Sequence, residues 1–155
     1  MDYRALVQKL GDRTNQNSQT SELILEHRTG HPKKLLTSFF ASIPYSQRRK
    51  DDEREKERYF QYTFYLVIRM ISSFTVLIEK EQSEGRVDCI IETPMFVYIF
   101  EFKRDGSATE ALKQIEGKGY AREYATDNRT IYLIGCNFSS KTGTIDDWKS
   151  KGKSV

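Results

Sequence analysis

Val87-Asp88-Cys89-Ile90-Ile91-Glu92-Thr93-Pro94-Met95-Phe96-Val97-Tyr98-Ile99-Phe100-Glu101-Phe102-Lys103 is the stretch on which the reading of the fold turns. Its β-branched and aromatic residues predict two strands, joined at Thr93-Pro94-Met95 because proline ends ladder pairing. Both runs are apolar enough to be buried on two faces. Yet they carry Asp88, Glu101 and Lys103, and a charge taken out of water is expensive unless it meets a partner or a metal.

Hairpin geometry brings those charges together. With Pro94 and Met95 as the turn, Thr93 pairs with Phe96, and stepping outward places Asp88 opposite Glu101. Opposed residues of an antiparallel pair hold their Cβ atoms about 4.5–5.5 Å apart, and Glu101 and Lys103 share a face at roughly 6.5–7 Å. All three side chains are therefore expected on one face, provided the register is this one, since a slip of one residue turns a strand over. Two carboxylates side by side in apolar surroundings raise each other's proton affinity and are relieved by a divalent cation. Oxygen ligands suit Mg²⁺, with Mn²⁺ as a substitute, rather than zinc. Two carboxylates, a hard cation and an adjacent ammonium are the equipment of phosphodiester hydrolysis.

The chain of 155 residues is long enough for one domain with a sizeable core. Its parts are read as an N-terminal helical extension or linker over 1–50, a core over 51–148 and a polar tail over 149–155. Cys89 and Cys136 fall within apolar strands without metal-site spacing, so reduced core thiols of a cytoplasmic protein are expected. No apolar run approaches the roughly 18 residues of a membrane helix and no leader-like stretch is seen, so no membrane partner is expected. The net charge of +3 is too mild to argue for nucleic acid on its own.

Along the chain, Tyr3 to Leu10 reads as a helical turn or two and Gly11 to Ser21 as a loop. Leu35, Leu36, Phe39, Phe40 and Ile43 follow Pro32 at helical spacing until Pro44 stops them. That helix has an apolar face to cover, either against its own core or in a homodimer. His27 and His31 are four apart, but Gly30 and Pro32 interrupt the helix they would need and no third ligand is evident. Ser46 to Ile71 reads as one long amphipathic helix, with Glu57 on the inward stripe of Phe60 and Phe64. Glu53 and Glu55 are read as partners of neighbouring Arg and Lys residues.

Phe74 to Ile78 is a predicted strand, Glu79 to Arg86 a polar turn region, and the hairpin follows. Ser107 is a good N-cap for a helix over Ala108 to Tyr124, whose Ala108, Ala111, Leu112, Ile115 and Gly119 make a face able to lie close on a sheet. Thr130 to Phe138 is the last predicted strand, followed by a polar tail with Trp148 as its anchor. A helix joining two strands implies a right-handed parallel crossover, so the expected architecture is α/β, a mixed central sheet flanked by helices in the order helix, three strands, helix, strand. Gly152-Lys153-Ser154 lacks the upstream glycine of a phosphate-binding loop, since that position is Asp147. No Ser, His and Asp set can be assembled either.

This order, with Glu57 on the first helix, Asp88 on one strand and Glu101-Phe102-Lys103 on the next, resembles the PD-(D/E)XK nuclease superfamily and its restriction-endonuclease-like core. More narrowly, Gly85-Arg86-Val87-Asp88, the Val97–Lys103 strand, Ala111-Leu112-Lys113-Gln114-Ile115, Lys118-Gly119-Tyr120-Ala121, Gly135-Cys136-Asn137-Phe138-Ser139 and Leu35–Tyr45 are similar to a bacterial branch found C-terminal to AAA-ATPase-like domains. The resemblance implies Mg²⁺ held by Asp88, Glu101, the Phe102 carbonyl and Glu57, with Lys103 serving the attacking water. Gln114 is similar to a helix glutamine that supports the substrate end of the site in exonuclease-like members. The tyrosine usually found four residues on is Lys118 here, with Tyr120 further along. The proline that commonly precedes the first acid is Val87.

The bare pattern of acid, any residue, lysine occurs at Glu101–Lys103, Glu116–Lys118 and Asp147–Lys149, so alone it decides nothing. Only the first lies on a predicted strand beside an opposing carboxylate. The implied partners are nucleic acid, with DNA expected, and an ATPase domain in trans or in a longer parent chain. The alternative is an inactive module on the same fold that binds nucleic acid or docks that ATPase, because fold does not fix function. Arg86, Arg104, Lys113, Lys118 and Arg122 are the candidate phosphate contacts.

Overall fold

The computed structural model describes residues 31–43, 53–71 and 75–153. Tyr3–Leu10, the Gly11–Ser21 stretch, His27 and the front of the long helix before Glu53 lie outside them. Helix α1 spans His31–Ser42 and α2 spans Glu53–Ile71. Strands β1 (Thr75–Gln82), β2 (Gly85–Glu92) and β3 (Phe96–Arg104) follow, then helix α3 (Ala108–Gly117), a short 3-10 turn at Arg122–Tyr124, and strands β4 (Thr130–Ser139) and β5 (Thr144–Lys153).

The strands form one five-stranded sheet in chain order. β1–β2, β2–β3 and β4–β5 pair antiparallel, and β3–β4, joined through α3, pair parallel. The mixed sheet expected from sequence is therefore present. Its faces carry separate cores. Leu36 and Phe40 of α1 and Phe60, Phe64, Val67 and Ile68 of α2 pack on Tyr98, Phe100, Phe102, Cys136 and Phe138. Ile115 of α3, with Tyr120 and Tyr124, packs on Val87, Ile90, Val97, Ile99, Ile131 and Leu133 of the other face. The apolar side of α1 is thus used inside the core, where the Phe40 ring meets Phe138 with centroids 4.9 Å apart.

Three boundaries differ from the sequence reading. The region Glu79–Arg86 is mostly strand, with the β1–β2 turn confined to Ser83 and Glu84. Helix α3 stops at Gly117 rather than Tyr124, because Gly119 turns left-handed (φ 63°) and the Gly119 and Tyr120 amides close back on the Glu116 and Ile115 carbonyls. The polar tail is a strand. Residues 149–153 belong to β5, an edge strand whose Ile145 is buried and whose Trp148 sits edge-on to Phe100. Lysine is common on an exposed edge because it discourages pairing with another chain, and that composition hid the strand.

The far end of the sheet is tied by Arg129. Its guanidinium donates to Asp127, to Glu92 Oε2 at 3.2 Å and to the Thr93 carbonyl at 3.1 Å. The Arg129 hydrogen bonds hold the Asp127 carboxyl down at about 2. A carboxyl whose folded pKa is depressed contributes stability that is complete above its ordinary value and is lost as pH falls through the folded one. That contribution is therefore expected to disappear between about pH 4 and pH 2. In Arg129→Ala, the side-chain carboxyl carbon of Asp127, followed by NMR, should titrate at higher pH than in the wild type, with a residual depression because the residue 129 backbone amide still donates to its Oδ1. An unchanged titration would mean that Arg129 does not hold it.

Candidate active site

The Thr93-Pro94-Met95 turn sets the register of the hairpin. The Thr93 hydroxyl accepts the Phe96 amide at 2.8 Å, and the ladder runs from Glu92↔Val97 to Cys89↔Phe100, the register expected. It stops there. Asp88 does not continue the ladder opposite Glu101. Its Oδ2 instead accepts the Phe102 amide at 2.8 Å, one residue further along β3. Asp88 is half-buried, and Glu101 is only 3% exposed. The carboxylates thus meet β3 on either side of one peptide unit, Asp88 through the Phe102 N–H and Glu101 through its own position.

Glu101 and Lys103 project on the α3 side of the sheet, since Phe100 and Phe102, which alternate with them along β3, belong to the opposite core. Lys103 Nζ lies 3.7 Å from Glu101 Oε1. Gln114 of α3 bridges them: its Oε1 accepts from Lys103 Nζ and its Nε2 donates to Glu101 Oε1. The amide orientation follows from the neighbours, because an ammonium can only donate and a carboxylate here only accepts. The Tyr120 ring is buried and its hydroxyl donates to the Arg86 carbonyl at 2.9 Å. Burial raises its pKa, the Glu101 and Asp88 charges add to this, and the Gln114 side chain and Arg86 act the other way. Tyr120 therefore steadies the entry to β2 just ahead of Asp88.

The structure brings together Asp88, Glu101, Phe102, Lys103, Gln114 and Tyr120. Glu57 belongs to α2, whose described apolar residues pack on the other sheet face, and its side chain lies outside the described residues. Among the described residues no three His, Cys, Asp or Glu side chains converge as a metal cage. A site with two carboxylates fits Mg²⁺, which usually takes one or two and keeps waters or phosphate oxygens for the rest, and does not fit structural zinc. Cys89 and Cys136 are buried free thiols whose pKa values burial pushes up, as core residues.

Asn137 was not singled out by sequence, although a polar residue inside an apolar strand was a signal. It is 3% exposed and sits beside Lys103 in the parallel register. Its Oδ1 accepts the Gly106 amide and its Nδ2 donates to Asp146 Oδ1, each at 2.8 Å. It thereby fixes the loop between Lys103 and α3. Ser107 and Glu110 form a capping box at the start of α3, and Asp147 accepts the Ala108 amide at 2.9 Å. Of the candidate phosphate contacts, Lys113 and Lys118 are exposed, Arg86 lies 3.7 Å from Glu79, Arg104 lies 3.9 Å from Asp105, and Arg122 pairs with Glu84.

A mixed sheet with helices on both faces, carrying a buried glutamate, a lysine and a second carboxylate around one strand, defines a restriction-endonuclease-like α/β protein. A model of the PD-(D/E)XK nuclease superfamily matches residues 55–148. The chain belongs to that superfamily. It is also 33% identical over 132 residues to an uncharacterised protein of the vnfD 5′ region of Azotobacter chroococcum mcd 1, a match that covers 84% of this chain and 25% of that protein. The chain thus spans about a quarter of the length of the curated relative it matches. No solved structure matches it. No helix among the described residues is long and apolar enough to cross a membrane.

Proposed function

We propose that the protein is a Mg²⁺-dependent nuclease that hydrolyses phosphodiester bonds of DNA. The observation that carries this reading is the Glu101–Gln114–Lys103 bridge beside Asp88. It holds a buried carboxylate and an ammonium in fixed relation, where a structural ion pair would need no second carboxylate. Asp88 and Glu101 would hold the metal, with the Phe102 carbonyl and Glu57 as further ligands and Mn²⁺ as a substitute. Such an ion, when bound, supplies Lewis acidity to the phosphate and to the attacking water. Lys103 orients that water and offsets charge growing on the phosphate. Gln114 keeps the Lys103 ammonium beside Glu101, and Tyr120 supports that end of the site through β2.

The branch reading adds a partner, an ATPase domain in trans or in a longer parent chain, and the length of the relative is consistent with additional domains; the reduced thiols Cys89 and Cys136 add a cytoplasmic setting. The test is cleavage of duplex DNA, single-stranded DNA and RNA with Mg²⁺ or Mn²⁺, together with thermal shift by each ion. Wild-type protein should cleave DNA, and Lys103→Ala should lose about 10²-fold or more in rate while remaining folded, with a lowered melting temperature because the buried Glu101 loses its ammonium neighbour. Absence of both cleavage and any ion-induced shift in the wild type would leave the inactive module as the better reading.

A further inference from the structure

β1 and β2 share a defect that lies against the site. Their register is continuous from Thr75↔Glu92 to Ile78↔Cys89 and resumes in the same register at Lys80↔Val87, so the facing residues Glu79 and Asp88 drop out of the ladder with nothing inserted. Glu79 has φ 47°, in the left-handed region that side chains other than glycine, asparagine and aspartate rarely adopt. Both strands also change faces there. On β1, Val76 and Ile78 pack into the α2-side core, whereas Lys80 and Gln82 reach Glu123 on the α3 side. On β2, Cys89 belongs to the α2-side core and Val87 to the α3-side core. Simple alternation would keep each pair on one face.

The consequence falls on Asp88. In a regular strand its side chain would stand roughly perpendicular to the sheet. At the inversion it lies toward β3, where its Oδ2 takes the Phe102 amide at 2.8 Å just past the last ladder pair. The Glu79 carboxylate, 3.7 Å from the Arg86 guanidinium at the surface, makes the kind of exposed pair that contributes little. Its backbone is what differs from an ordinary strand residue.

We propose that Glu79 is a positioning residue, whose left-handed backbone inverts the pleat of the β1–β2 hairpin and so turns Asp88 onto Phe102 beside Glu101. Sites of unusual backbone commonly re-aim a functional side chain in this way. The consequence for metal binding rests on the reading of Asp88 and Glu101 as ligands. The consequence for the Phe102 amide does not.

The test compares wild type with Glu79→Gly, Glu79→Gln and Glu79→Val by hydrogen exchange of the Phe102 amide and by Mn²⁺ titration. Glycine accepts the left-handed conformation and glutamine removes only the charge, so both should keep Phe102 protection and Mn²⁺ affinity within about threefold. Valine is excluded from that region, and should speed Phe102 exchange and weaken Mn²⁺ each by about tenfold or more, with the far-UV spectrum unchanged. If the valine variant does not fold, Glu79→Thr, β-branched like valine but polar, is expected to show the same losses. Folded Val or Thr variants with wild-type Phe102 protection overturn the proposal, as does a loss in Glu79→Gln equal to that of valine. A wild type that binds no Mn²⁺ sinks the metal reading, while Phe102 exchange still decides whether Glu79 positions Asp88.

Discussion

Glu101→Gln is expected to lower the single-turnover rate of Mg²⁺-dependent DNA cleavage by about 10³-fold and to leave the melting temperature unchanged or slightly raised. The side chain is 4% exposed and lies beside the Lys103 ammonium and the Gln114 amide. An ionised carboxylate so placed is costly to desolvate, and a neutral amide of the same shape removes that cost. The fold should therefore tolerate the change. Function should not, because an amide offers a metal no charge and turns one ligand position into a donor. The comparison needs both cleavage and a Mn²⁺ titration. A variant that cleaves within threefold of wild type at saturating Mg²⁺ would remove Glu101 from the site, whatever its effect on stability.

The parts of this arrangement legible in the sequence are those written by periodicity and turn chemistry. Thr93-Pro94-Met95 set the register through Cys89↔Phe100, and the face shared by Glu101 and Lys103 followed from a period of two. The helix between β3 and β4 implied the parallel pair that is found. Periodicity could not reveal where a strand departs from itself. Asp88 was expected opposite Glu101, yet the pleat inverts at Glu79, a residue type with no special preference for a left-handed backbone. β5 was hidden for another reason: an edge strand covered on one side needs few apolar residues, and Ile145 and Trp148 sufficed. Asn137 was passed over because its role is to satisfy the Gly106 amide, a demand that exists only once the loop has closed. The Glu101–Gln114–Lys103 bridge likewise depends on how closely α3 approaches the sheet.

Gly135→Ala should show that this approach matters, destabilising the protein by about 3 kcal/mol, a fall of roughly 6–12 °C in melting temperature for a chain of this size. Gly135 lies beside Glu101 in the parallel register, and α3 crosses directly over it. A Cβ there would come within 2.2 Å of the Ala108 carbonyl oxygen and 3.0 Å of the Ala111 Cβ. The closest atom is backbone in the first turn of α3, held by the Ser107–Glu110 capping box and by Asp147, so it cannot swing aside as a flexible side chain would. The helix must lift or the strand must bend. Either movement separates Gln114 from Glu101 and Lys103, so the folded fraction should also lose cleavage rate at saturating Mg²⁺. Gly117→Ala is the control. A Cβ there meets nothing within 4 Å, and replacing a helical glycine by alanine should raise stability by up to about 1 kcal/mol. If Gly135→Ala melted within about 2 °C of wild type, α3 would not be seated as closely as the bridge from Glu101 to Lys103 requires. The arrangement of the site would then have to be sought in a different packing of that helix.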